Sequence, residues 1–306
     1  MTTIGILGTG DMGHAIGRVL GAGGARVITC LAGRGRLSAE RASAAGIEAV
    51  LDDAALVSQA DIFLSVLPPG EALGLARRIT SAAGAAGRTL LYADCNAVSP
   101  GTAQAVGETI ASSGSRFVDV GIIGGPPKPG VHGATTLYAS GPHATEFGEL
   151  RELGLDITVM NGPVGQASGL KMCYASLTKG LNAIGAELLV AAERLGLSAA
   201  LRIEFESSQP DLLRWVTRGV PGTPHKAYRW VAEMQEIAAT FAEVGLTPRI
   251  FEGAAELYDA MSRTPAAQEA TEAGHPTREL PALLEALAAT MRSEDPAGAL
   301  SAAARP

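Results

Sequence analysis

Gly8-Thr9-Gly10-Asp11-Met12-Gly13, close to the N-terminus, has the residue types and spacing of a turn that can hold a diphosphate. Gly8 permits a sharp reversal, Gly10 lets backbone approach an anion, and Gly13 lets the next helix pack on the preceding strand. Free N–H groups at the start of that helix point at the same spot and favour negative charge. The apolar run Ile4-Gly5-Ile6-Leu7 reads as a strand before the turn and Met12–Leu20 as a helix after it, the context such a turn requires. The chemistry is dinucleotide binding. Its flavour follows from an absence. An acid about twenty residues on would accept a hydrogen bond from a ribose 2′-hydroxyl, yet no Asp or Glu stands between Asp11 and Glu40. Arg34 and Arg36 stand there with Ser38, and guanidinium groups suit a 2′-phosphate. NADP(H) is therefore favoured over NAD(H), the alternative for the arginines being a solvated loop.

Up to about residue 160, short apolar runs alternate with longer Ala-rich stretches. Ile4–Leu7, Val27–Leu31, Ile62–Val66, Leu90–Asp94, Phe117–Val120, Thr136–Tyr138 and Ile157–Val159 read as strands. Met12–Leu20, Ala39–Ala45 and Glu71–Ala82 have helical periodicity. Strands separated by helices imply right-handed crossovers and a mostly parallel sheet, and nearly all-apolar strands imply cover on both faces. The pattern then changes. Leu170–Leu195 predicts one long helix, and the periodic stretches Ser198–Arg214, Ala227–Val244, Ile250–Met261 and Ala282–Met291 predict an all-helical remainder. Pro221 and Pro224 make Gly219–His225 read as a loop. The expected domains are 1–163, a dinucleotide-binding unit, and 164–292, the long helix with an all-α unit. Residues 293–306 read as a disordered tail.

The chain has 306 residues, long enough for two domains, and its 47% hydrophobic content can fill their cores. A net charge of −7 argues against nucleic acid or an anionic membrane as the main partner. No apolar run has the length of a membrane span, and no signal-type segment opens the chain. Cys30, Cys95 and Cys173 are far apart, which fits a reduced cytoplasmic protein. None of the five histidines has metal-ligand spacing, so no metal is expected.

Further along, motifs follow one another in an order that resembles the β-hydroxyacid dehydrogenase superfamily, which includes 3-hydroxyisobutyrate and 6-phosphogluconate dehydrogenases. Met12 matches the methionine of that family's glycine turn. Ala60-Asp61-Ile62-Phe63-Leu64-Ser65-Val66-Leu67-Pro68 is similar to its cofactor-side segment ending in Leu-Pro. Asp94-Cys95-Asn96-Ala97-Val98-Ser99-Pro100 and Asp119-Val120-Gly121-Ile122-Ile123-Gly124-Gly125 resemble its two substrate motifs. Gly162-x-x-Gly165 followed by Lys171 resembles its glycine pair and catalytic lysine. The last third is similar, more loosely, to a helical domain of no agreed function.

The resemblance implies a Rossmann-type doubly wound α/β fold plus an all-α domain joined by a long interdomain helix. It implies a homodimer formed through that helical domain, acting on a small-molecule substrate. It implies an oxidoreductase exchanging hydride between NADP(H) and a hydroxy or oxo group. Gly8 to Gly13, Arg34, Arg36, Leu67 and Pro68 would bind cofactor, while Asn96, Ser99, Gly124 and Gly125 would bind substrate. Lys171 would be the acid/base, since a desolvated amine can have a lowered pKa. The bland alternative is a snorkelling lysine.

The departures bear on substrate choice. Tyr174 and Ala175 stand where the family has an asparagine pair, and Tyr174 either donates a hydrogen bond to substrate or packs. The serine of the second substrate motif is Ile123, and the Ser-Thr of the first is Asn96-Ala97. The family's C-terminal Lys-Asp pair is Gln235-Glu236. A small carboxylate held in the usual way is therefore doubtful, although Lys128, nominally a solvated loop residue, offers another positive charge. Lys179 either faces the same cleft or forms an ion pair, with Glu187 as the candidate partner. His225, Lys226, Tyr228, Arg229 and Trp230 either reach a partner's cleft or simply begin a helix. The alternative functions are an imine reductase of the same architecture and a catalytically retired NADP-binding module.

Overall fold

The computed structural model describes residues 1–292, so the tail expected at 293–306 lies outside the described residues. Two compact units divide the chain after Tyr174. The first contains β1 (Thr3–Leu7), α1 (Asp11–Ala22), β2 (Arg26–Cys30), α2 (Arg36–Ala44), β3 (Glu48–Val50), α3 (Asp53–Gln59) and β4 (Ile62–Ser65). It continues with α4 (Ala72–Ala86), β5 (Leu91–Asp94), α5 (Pro100–Ala111), β6 (Arg116–Gly124), β7 (Thr135–Ser140), α6 (Ala144–Gly148), β8 (Ile157–Val159) and the start of α7 (Gln166–Arg194). Lys171 and Tyr174 thus belong to the α/β unit, although the sequence places the boundary before them.

The eight strands form one sheet in the order β3-β2-β1-β4-β5-β6-β7-β8. All neighbours are parallel except β6 and β7. The chain runs outward from β1 to β3 and then returns to place β4 on the other side of β1. Ligands of doubly wound sheets bind at such a reversal, outside the carboxyl ends of the strands. The glycine turn leaves β1 at that point.

Alternation along the strands separates two apolar layers. Ile4, Ile6, Val118 and Val120 pack on one face; Ile28, Phe63, Tyr92 and Phe117 pack on the other. Phe63, Tyr92 and Phe117 lie opposite one another in register on β4, β5 and β6. Their rings stack at 5.0 and 6.2 Å, so cross-strand aromatic contacts fix the relative height of three strands.

The second unit comprises the rest of α7 with α8 (Ser198–Ser208), α9 (Pro210–Gly219), α10 (Pro224–Glu243), α11 (Arg249–Ser262), α12 (Pro265–Ala273) and α13 (Leu280–Thr290). Two expectations need correction. Gly219–His225 is not a loop: a 3-10 turn at Val220–Gly222 leads directly into α10, with Pro224 at its first position. Proline is tolerated there because that N–H has no helical partner in any case. The single stretch Ser198–Arg214 is broken in two, since Pro210 starts a new helix.

Lys179 on α7 pairs with Glu233 of α10 rather than with Glu187, and its ammonium lies 5.6 Å from the Trp230 ring centre. Trp230 meets Tyr258 edge-on at 5.2 Å, and the Tyr258 hydroxyl donates to the Lys179 carbonyl at 2.5 Å. Of the 225–230 group, at least Trp230 is therefore part of this unit's own packing.

Candidate functional site

Each glycine of the turn has a separate physical reason. Gly8 has φ of +102°, and a Cβ there would lie 2.0 Å from the Val66 carbonyl oxygen. A Cβ on Gly13 would lie 1.9 Å from the carbonyl oxygen of Gly8, so α1 could not close on β1. A Cβ on Gly10 meets nothing within 4 Å. Gly10 is the N-cap of α1 and supplies no side-chain cap, which leaves the first-turn N–H groups directed at that open space. This is a cradle of the shape and polarity a diphosphate needs.

The neighbouring groups fit the same ligand. The Thr9 hydroxyl donates to the Ser38 carbonyl at 2.9 Å, tying the turn to the first turn of α2. Asp11 would repel a diphosphate, but Arg41 pairs with it at 2.6 Å; the sequence reading missed Arg41. Met12 is partly buried and packs on the core. Arg34, itself half-buried, is 3.5 Å from Glu71, and Arg36 is 2.9 Å from Glu40 in a solvent-exposed pair. Such pairs contribute little, so either guanidinium can turn to a phosphate at small cost. Leu67 and Pro68 follow β4, next to β1 in the sheet.

The strand ends beyond β4 are built differently. Asn96 is buried, and its side chain is engaged inside the protein. Its oxygen accepts from the Leu67 N–H at 2.5 Å, while its amino group donates to the Ser65 hydroxyl at 2.8 Å and to Asp94. Ser99 is the N-cap of α5, where its hydroxyl accepts from the Thr102 N–H at 3.1 Å. Gly124, with φ of +123°, lies against Ala134, and a Cβ would come 2.3 Å from the carbonyl oxygen of that residue; Gly125 faces open space.

Lys171 is placed by two residues of β6, Gly121 and Asp119, whose part in the site the motifs alone do not reveal. Gly121 of β6 lies directly beneath it: a Cβ at Gly121 would be 2.4 Å from the Ala167 carbonyl oxygen and 3.1 Å from the Lys171 Cβ. Only glycine lets the first turns of α7 approach β6 this closely. Asp119, fully buried two residues earlier, ties down the start of that helix. One of its oxygens accepts from the Gly165 N–H at 2.9 Å, the Ser168 N–H at 3.1 Å and the Ser140 hydroxyl at 2.9 Å, and the other from the Ser168 hydroxyl at 2.6 Å. A carboxylate in a buried apolar strand needs such partners, and Asp119 inside the run Phe117–Ile123 is the signal that could have revealed it.

Among the described residues, no hydrogen bond or ion pair engages the Lys171 ammonium within its own unit. Burial alone lowers its pKa, to about 8. Tyr174 is one helical turn further on and half exposed. At the adjacent strand end, burial followed by the Asp94 and Asp119 carboxylates pushes the Cys95 thiol well up. No group of three or more His, Cys, Asp or Glu side chains among the described residues is placed to hold a metal ion. No helix there is long and apolar enough to cross a membrane.

Residues 3–153 match the NAD binding domain of 6-phosphogluconate dehydrogenase, and residues 192–261 match a domain of unknown function, DUF1932. An uncharacterized 28.5 kDa protein of Methanothermus fervidus is 31% identical over 196 residues, 63% of this chain and 72% of that one. The chain belongs to the β-hydroxyacid dehydrogenase-like family. Within that family it is of the kind carrying a C-terminal DUF1932 domain, and it is an NAD(P)-dependent oxidoreductase. A solved family relative of unknown function, described as structurally similar to 3-hydroxyacid dehydrogenases, is 28% identical. The match covers 87% of this chain and 98% of that one, with a TM-score of 0.62. The Mycobacterium tuberculosis 3-hydroxyisobutyrate dehydrogenase, solved with L-serine, shares the β-hydroxyacid dehydrogenase fold at 23% identity. There the coverage is 94% and 99%, with a TM-score of 0.63.

Proposed function

We propose that the protein uses NADP(H) to interconvert a hydroxy and an oxo group on a small or medium organic molecule, with Lys171 as general acid and base. The observation that carries this reading is Lys171 itself: half-buried, without a counter-charge in its unit, lowered to a pKa of about 8, and seated over Gly121 of β6. A lysine kept only for structure would have a carboxylate beside it or its ammonium in water. When bound, the nicotinamide supplies the hydride in reduction and takes it up in oxidation.

As an ammonium, Lys171 gives its proton to the forming alkoxide oxygen; as an amine, it removes the hydroxyl proton in the reverse direction. Tyr174, one turn along α7, donates a hydrogen bond to the same oxygen. Asn96 and Ser99, through their internal hydrogen bonds, hold the strand ends that border the substrate. Gly124 and Gly125 present backbone rather than side chain at the pocket floor. An imine reductase is the second reading, favoured by Tyr174 and by the apolar Ile123, whereas Lys171 favours the carbonyl.

The cradle at Gly10 and the arginines after β2 support NADP(H). A charge-assisted hydrogen bond contributes about 1.5–3 kcal/mol, so replacing Arg34 and Arg36 by alanine is expected to weaken NADPH binding roughly ten- to a hundredfold. NADH binding should be nearly unchanged, as read by titration of nicotinamide fluorescence. A variant that keeps full NADPH preference would rule the arginines out.

The protein works in the reducing cytoplasm, a reading supported by its three free cysteines. It works as a homodimer through the helical domain. In support, α8 buries none of its side chains, and Leu177 and Ile184 on α7 are 64% and 55% exposed. Light scattering should return twice the chain mass, and a monomer at micromolar concentration would contradict this.

A further inference from the structure

We propose that the group flanking the substrate's reacting carbon is uncharged and apolar, so that the enzyme acts on neutral aldehydes or ketones and their alcohols rather than on hydroxy acids. The inference rests on the reading of Lys171 as the acid/base and narrows it to a substrate class. The residue of β6 that shares the face of Gly121 and lies two positions further along is Ile123, roughly 6.6 Å on. Its half-buried side chain offers neither charge nor hydrogen bond.

The polar side chains at the adjoining strand ends do not compensate. The Asn96 amide serves Leu67, Ser65 and Asp94. Ser99 is 1% exposed and caps α5. Asp119 lies two residues before Gly121 on the same face, and Asp94 ends β5 in register with Asp119. Both are buried carboxylates and offer an anion no hydrogen-bond donor. A substrate carboxylate would leave water to lie against the apolar side chain of Ile123, with the Asn96 amide already engaged within the protein. Lys128 lies in the exposed segment after β6 and is the cation that could oppose this argument. During reduction, NADPH would supply a proton and two electrons as hydride, forming the new C–H bond at the carbonyl carbon. The C=O π bond becomes an O–H bond with the proton of Lys171, and NADP⁺ is released.

The test uses isobutyramide and isobutyrate, a neutral and an anionic ligand of the same shape, titrated into the NADPH-loaded full-length protein and followed by nicotinamide fluorescence. The amide should bind at least tenfold tighter, and Ile123→Ser should narrow that ratio. Lys171→Met should weaken the amide at least fivefold. Equal or tighter binding of isobutyrate, above all if Lys128→Ala removes it, overturns the proposal, as does failure of the amide to bind. Failure to take up NADPH is seen before either ligand is added; it would overturn the oxidoreductase reading and this inference with it.

Discussion

Gly10→Val is expected to abolish useful cofactor binding while costing the protein little stability. The backbone at Gly10 has φ of −69°, which any residue adopts, and a Cβ there touches no protein atom within 4 Å. The unfolding free energy should therefore fall by no more than about 1 kcal/mol, the cost of a poorer N-cap residue. In the proposed reading that open space takes the diphosphate, and a branched side chain would occupy it and shield the N–H groups of α1. Affinity for NADPH should fall by roughly a hundredfold or more, about 2.7 kcal/mol. Gly13→Val provides the contrast. Its Cβ would sit 1.9 Å from the Gly8 carbonyl oxygen, so it should cost stability as well as affinity. Calorimetry of both variants with and without NADPH separates the two effects, and a stable Gly10→Val protein with parental affinity would remove the cradle from the account.

Lys171 should control both the pH dependence of turnover and part of the pH dependence of stability. Its pKa drops from 10.5 to about 8 through burial. In reduction the ammonium is required, so kcat/KM should be level below about pH 8 and fall above it; in oxidation the amine is required, and the profile should rise to a plateau above about pH 8. The stability argument has the opposite sign from that of a salt-bridged lysine. The unfolded chain holds the proton more tightly, so the cost of burying the charge is present in full below about pH 8 and disappears as the pH approaches 10.5. At about 1.4 kcal/mol per pKa unit, Lys171→Met should stabilise the cofactor-free protein by up to about 3 kcal/mol at neutral pH. A group that lowers stability where it sits is characteristic of a functional position. Loss of stability in urea unfolding of the variant would instead mark Lys171 as structural.

Much of this architecture is legible in the sequence because its strands are apolar on both faces and its glycines are indispensable. Gly8 and Gly13 announce themselves, since no other residue fits where they stand. β3 escaped because Glu48-Ala49-Val50 is a short, largely exposed edge strand without an apolar pattern. The start of α10 escaped because Pro224 reads equally as a loop residue and as the first residue of a helix. At the candidate site, the register from Gly165 to Lys171 was readable, but the reason for it was not. The four hydrogen bonds to Asp119 bring together segments far apart in sequence. The same is true of Lys179, whose partner Glu233 lies on another helix, while Glu187 only shared its periodicity. Asn96 and Ser99 have the polarity of ligand-binding residues, and only coordinates reveal that their polar atoms are engaged within the protein.

Hydride transfer from NADPH assisted by Lys171 leaves its mark in the mass of the product. NADPH carrying deuterium at the transferring carbon is incubated with a panel of neutral aldehydes and ketones and with the parent or Lys171→Ala protein. The parent should place one deuterium on the former carbonyl carbon of at least one substrate. The variant should do so about a hundred to ten thousand times more slowly, with its NADPH affinity intact. Product labelled by the variant at the parental rate, or no labelled product from any carbonyl compound with the parent, would contradict the account.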